Sequence, residues 1–137
     1  MMQQPALRDT SSSIESQAAF AKMIADREAR QAARPAIEQE GKTALMRLFT
    51  IAQGDSGQCR HVVAFLLGLY NGSRFKFDLT DFRAVDGEIF DDFIAVLKMD
   101  SQPQQEIHTY FVDGGTRFEQ LAKDWGLKDH LVSATPD

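Results

Sequence analysis

The sequence predicts an all-α protein, a compact bundle of about five helices with a helical N-terminal arm and at most one short extended segment. Three observations lead there. Large apolar residues recur at three- and four-residue steps in successive stretches from Leu45 to Trp125. Glycine or asparagine stops, at Gly54, Asn71-Gly72 and Gly126, separate those stretches. Strand-like alternation is confined to Phe75, Phe77 and Leu79 and, less clearly, Ile107, Thr109 and Phe111, and one isolated strand cannot make a sheet.

The polar opening of the chain, with Pro5 and the run Thr10-Ser11-Ser12-Ser13, reads as a disordered leader over residues 1–11. Ser12 and Glu15 have capping-box spacing, and the alanine-, glutamine- and arginine-rich stretch behind them predicts a helical arm over residues 12–35. Pro35 disfavours helix at Arg34 and suits the first turn of a new helix, so a kink or joint is expected at 34–36. A single domain over residues 36–131 follows, then a polar tail over 132–137.

Within that domain Ile37, Leu45, Leu48, Phe49 and Ala52 mark a helix ending near Gln53, with Gly41 a weak point. Cys59, Val62, Val63, Leu66, Leu67, Leu69 and Tyr70 mark the next, apolar on most faces and therefore central. Residues 75–79 read as extended and lead into a helical turn over 80–84. Asp86 can cap a helix carrying Ile89, Phe90, Phe93, Ile94, Val96 and Leu97, with Glu88, Asp91 and Asp92 on its outer face. Residues 106–112 fit a short helix or a strand, with the helix preferred. After the Asp113-Gly114-Gly115 turn, Phe118, Leu121, Ala122 and Trp125 define a last helix stopped by Gly126. The expected core is Leu45, Leu48, Phe49, Val62, Val63, Leu66, Phe90, Phe93, Leu97, Phe118, Leu121 and Trp125.

The chain has 137 residues, 20 acidic and 15 basic, a net charge of −5. That balance disfavours non-specific attraction to nucleic acid or anionic lipid. The lone Cys59 cannot form an internal disulfide, and the first residues lack the basic-then-apolar pattern of a secretory signal, so a cytoplasmic location is expected. The apolar stretch Val62 to Leu69 is too short to span a bilayer. His61, His108 and His130 are scattered without metal-ligand spacing, and no metal or cofactor is expected. His61 reads as a partly buried, hydrogen-bonded residue.

Gly54-Asp55-Ser56-Gly57 copies the nucleophile loop of chymotrypsin-like proteases. Between two helices, however, it reads as a helix stop followed by an Asp55 or Ser56 cap. The stretch from Phe118 to Leu127 resembles the first helix and turn of a helix-turn-helix motif, but the segment after it contains Pro136 and few cations. Two surfaces remain. Arg27, Arg30 and Arg34 form a basic stripe on the arm, with Ile14, Phe20, Met23 and Ile24 as candidate apolar anchors. Asp78, Asp81, Asp86, Glu88, Asp91 and Asp92 form an acidic run on the body.

The ordered motifs Ala44-Leu45-x-Arg47-Leu48, Gln53-Gly54-Asp55-Ser56-Gly57-Gln58, Phe65-Leu66-Leu67, Phe77-Asp78-Leu79-Thr80-Asp81 and Val85-Asp86 resemble an uncharacterised family of small proteins encoded on proteobacterial plasmids and integrative elements. The resemblance spans about residues 44–125 and implies no activity, cofactor or catalytic residue. The expected function is that of a non-enzymatic accessory or regulatory protein of mobile-element origin, acting through protein contacts. A homodimer through the arm is the expected assembly, with the stripe of one copy meeting the acidic run of another. The competing readings are helix-turn-helix-like DNA binding and a small enzyme whose polar pocket gathers Asp55, Ser56, His61 and the aspartates of residues 78–92.

Overall fold

A computed structural model describes residues 6–132, with side chains from Ser12 onward. Four α-helices are present, α1 (Ala6–Ala52), α2 (Gly57–Tyr70), α3 (Gly87–Asp100) and α4 (Gly114–Trp125), together with two 3-10 helices at Leu79–Ala84 and Ile107–Tyr110. No strand occurs among the described residues, so the fold is all-α as the sequence predicts.

The chain divides into two compact units, Met1–Ala36 and Ile37–Asp137. In the first, α1 begins at Ala6 rather than Ser12, so the capping-box pair Ser12 and Glu15 lies inside a helix. A mid-helix serine costs only about 0.5 kcal/mol relative to alanine, too little to stop a helix of otherwise good formers. The expected leader is therefore helical over residues 6–11, and its first five residues, like 133–137 of the expected tail, lie outside the described residues. Pro35, where a kink or joint is expected, lies within α1, and the division between the two compact units falls just after it, between Ala36 and Ile37. Residues 31–33 are exposed, so the carbonyl that loses its partner to proline can hydrogen-bond to water instead.

In the second unit α2 is the central element, as its all-round apolarity predicts. Its Val62, Val63, Leu66 and Leu67 are fully buried, and it packs against α4 and both 3-10 helices. Leu45 and Leu48 of α1, Phe93, Val96 and Met99 of α3, and Phe118 of α4 complete the core with Phe75 and Ile107 from the connections. The aromatic side chains form two groups. Phe65 stacks on Phe93 with ring centroids 4.1 Å apart, and Phe77 and Phe82 close around them. Phe49, Phe111 and Phe118 make the second, with Arg117 lying over the Phe49 ring at 4.6 Å.

Three expectations about packing are corrected. Phe90 is 37% exposed and stands edge-on to Phe82 instead of entering the core. The buried stripe of α3 runs through Ile89, Asp92, Phe93, Val96 and Met99, and Phe90 falls one step off it. Leu97 and Trp125 are only partly buried at the core's edge. Gly41 is a close-approach point rather than a weakness, because a Cβ there would collide with the Met99 side chain.

The connections follow from local chemistry. Residues 106–112 resolve as a 3-10 turn with Ile107 buried beneath it. Gly126 ends α4 with φ +62°, and its N–H and that of Leu127 return to the carbonyls of Lys123 and Ala122. Asp113 adopts φ +54° at the start of the same helix, a conformation that aspartate tolerates better than most residues.

Candidate interaction surface

The arm carries its apolar anchors in the open. Ile14 is 59% exposed, Phe20 60% and Met23 47%, while Ile24 is half-buried. Arg27 and Arg30 are exposed and Arg34 is half-buried.

The acidic run on the body is less uniform than its sequence suggests. Asp78 caps the first 3-10 helix by accepting from the Thr80 hydroxyl at 2.8 Å and from the Thr80 N–H at 2.9 Å, and these bonds hold its carboxyl below the usual range. Asp81 lies 3.3 Å from His61 Nδ1, the partner expected for a half-buried histidine. Asp86 makes a two-way contact with Gln58. Asp92 does not lie on the outer face of α3. It is buried and accepts from Arg47 Nε at 3.0 Å and Nη2 at 2.7 Å, because a buried carboxylate requires such a partner. Glu88 and Asp91 stay exposed beside that bridge.

The enzyme-like and DNA-binding arrangements take different forms from those they resemble. Ser56 occupies the N-cap position of α2 without a side-chain capping bond, and its hydroxyl lies 3.2 Å from the Cys59 thiol. His61 meanwhile faces Asp81. Gly54-Asp55-Ser56-Gly57 is thus a helix-to-helix turn, as expected from its position. No second helix follows α4 over residues 127–132, so Lys128 is not on a recognition helix. Instead the His130 N–H donates to the Arg74 carbonyl at 2.8 Å, holding this segment against the body. Among the described residues no group of three histidine, cysteine or acidic side chains could hold a metal ion, and no helix is long and apolar enough to cross a membrane.

Two features escaped the sequence reading. The first is a polar network. Arg74 donates to both Glu119 oxygens, from Nη2 at 2.9 Å, and from Nε to Asp129 at 2.8 Å. The Tyr70 hydroxyl also donates to Glu119. Arg74, followed by Tyr70, holds the Glu119 carboxyl down to about 2, while burial and then the neighbouring Glu119 push the Tyr70 hydroxyl up. Beside it, His108 stands edge-on to Tyr70 with its Nδ1 buried and unpartnered. Bonded partners in this network are up to 55 residues apart, and no spacing rule connects them.

The second is an apolar groove of about 390 Å³ lined by Phe65, Leu69, Phe77, Leu79, Phe82 and Leu97. Gly68 forms part of its floor, where a Cβ would press on Phe77. Leu79 is 73% exposed at the lip, because the 3-10 helix begins there and breaks the alternation that Phe75 and Phe77 start. Lys76 is turned back onto the Gly72 carbonyl at 3.0 Å.

A family of unknown function, DUF7673, matches residues 42–126. The chain belongs to that family. The DUF7673 match takes in α2, α3, α4 and the end of α1, close to the span 44–125 over which the motifs carry a resemblance. Tyr70, Arg74, Glu119 and the groove lie inside it, whereas the arm and Asp129 lie outside. No curated protein and no solved structure matches the chain.

Proposed function

We propose that this DUF7673 protein is a non-enzymatic accessory or regulatory protein, of mobile-element origin and cytoplasmic, that acts through protein contacts made by its N-terminal helix. The observation that carries this reading is the exposure of Ile14, Phe20 and Met23 on that helix. Burying a large apolar side chain contributes about 1.5–3 kcal/mol, so three such residues left in water favour an association that covers them. The arginines supply register more than affinity, since exposed ion pairs contribute only about 0–1 kcal/mol each. The first partner we assign is a second copy, the basic stripe of one chain meeting carboxylates of the other across a two-fold axis.

Affinity capture of the full-length protein from its native host, with a chain beginning at Ile37 as the comparison, tests this function. Partners identified by mass spectrometry that are lost with the arm support it. Equal recovery by both chains, or robust turnover of a substrate that needs no partner, overturns it. The shortened chain keeps the buried core residues, all of which follow Ala36, and its folding is checked by circular dichroism.

A further inference from the structure

We propose that the apolar groove lined by Phe77, Leu79 and Phe82 is the seat for the arm of a second copy, with Phe20 and Met23 entering it and Arg27 meeting Asp78 at its edge. This rests on the self-association reading above and adds the acceptor site to it.

Phe20, Met23, Arg27 and Arg30 follow one another at steps of three, four and three, which places them along one seam of α1. The seam is apolar at its start and cationic beyond, so its acceptor needs an apolar depression next to a carboxylate. Two arms cannot supply that for each other. In parallel register guanidinium would face guanidinium, and an antiparallel pair that sets Phe20 against Met23 places Arg27 and Arg30 opposite Ser16 and Ser13, with no carboxylate on either seam.

The body offers the complement. The groove is apolar, its lip residue Leu79 is 73% exposed, and exposed Asp78 stands between groove residues Phe77 and Leu79. At about 1.5 Å per residue, Met23 seated in the groove puts Arg27 about 6 Å farther along the helix, within reach of an adjacent carboxylate. Charge favours the same pairing. Residues 12–36 hold 4 basic and 3 acidic groups, a net +1, whereas residues 37–132 hold 10 basic and 15 acidic, a net −5.

Light scattering and sedimentation of the full-length chain at tens of micromolar test the assignment, using Phe20→Asp, Leu79→Asp and an equimolar mixture of the two. Because Phe20 and Leu79 are both exposed, each variant should retain the wild-type circular dichroism spectrum. We expect a wild-type dimer, weakening by about tenfold or more in each variant, and partial recovery in the mixture, where one intact arm meets one intact groove. Arg27→Glu should weaken the dimer and Asp78→Lys should restore it in part. A dimer disrupted by Phe20→Asp but indifferent to Leu79→Asp overturns the groove as acceptor while leaving arm-mediated association standing. A wild-type monomer overturns both.

Discussion

Arg74 and Glu119 are joined by a two-pronged ion pair, with both terminal nitrogens of the guanidinium donating to the carboxylate across 45 residues of sequence. The pair connects the turn after α2 to α4, and the remaining Arg74 nitrogen ties in Asp129 from the segment beyond α4. With Arg74 only 24% exposed and Glu119 35%, this bridge is better shielded than a typical surface pair.

Arg74→Met should therefore destabilise the fold by about 2 kcal/mol, the scale of charge-assisted hydrogen bonds. Arg74→Lys should recover only part of the loss, because an ammonium cannot span both oxygens while also reaching Asp129. Urea unfolding followed by circular dichroism measures both. A loss for Arg74→Met no greater than that of a surface substitution would mean that the network contributes nothing net.

Stability should fall in acid. Glu119 is held down to about 2 from 4.5, and Asp129 is lowered by the same arginine. A depressed carboxyl stabilises the fold at pH values above its unfolded value, and that contribution is lost as pH falls from about 4.5 toward about 2. Asp100, raised by burial and then by Glu106, acts in the opposite sense and offsets part of the decline. Melting temperatures between pH 6 and about pH 2.5 should drop, and Glu119→Gln should flatten the profile. An unchanged slope in that variant would remove Glu119 as the titrating group.

Glycine substitutions should separate two roles. A Cβ at Gly114 would overlap the His108 carbonyl oxygen, whereas one at Gly87 meets nothing within 4 Å. Gly114→Ala should cost about 3 kcal/mol or more, since backbone rather than a movable side chain is in the way. Gly87→Ala should gain up to about 1 kcal/mol by reducing unfolded-chain entropy. Thermal denaturation of the two single variants shows whether their signs differ.

The buried stripe of α3 predicts a contrast between adjacent aromatics. Phe93, fully buried and stacked on Phe65, should cost about 3–5 kcal/mol when changed to alanine. Phe90, exposed on one side, should cost about 1 kcal/mol. Comparable losses measured by urea unfolding would restore Phe90 to the core.

By itself the sequence determined the helices and most of their ends, because these depend on neighbours within a turn. The 3.6-residue spacing of Phe118, Leu121 and Ala122 and the glycine at 126 are enough for α4, and the apolarity of residues 62–67 makes α2 central. It missed the start of α1, where weak local penalties compete with a long run of helix formers. Tertiary structure alone decided which carboxylates remain available. Asp92, at helical spacing from Ile89 and Val96, falls on the buried stripe that Asp91 avoids, but only the packed fold supplies Arg47 as its partner. The bonds among Tyr70, Arg74, Glu119 and Asp129, and the groove beneath Leu79, arise only when distant segments pack, since a side chain's partner across the fold is set by where its element docks and leaves no periodic trace along the chain.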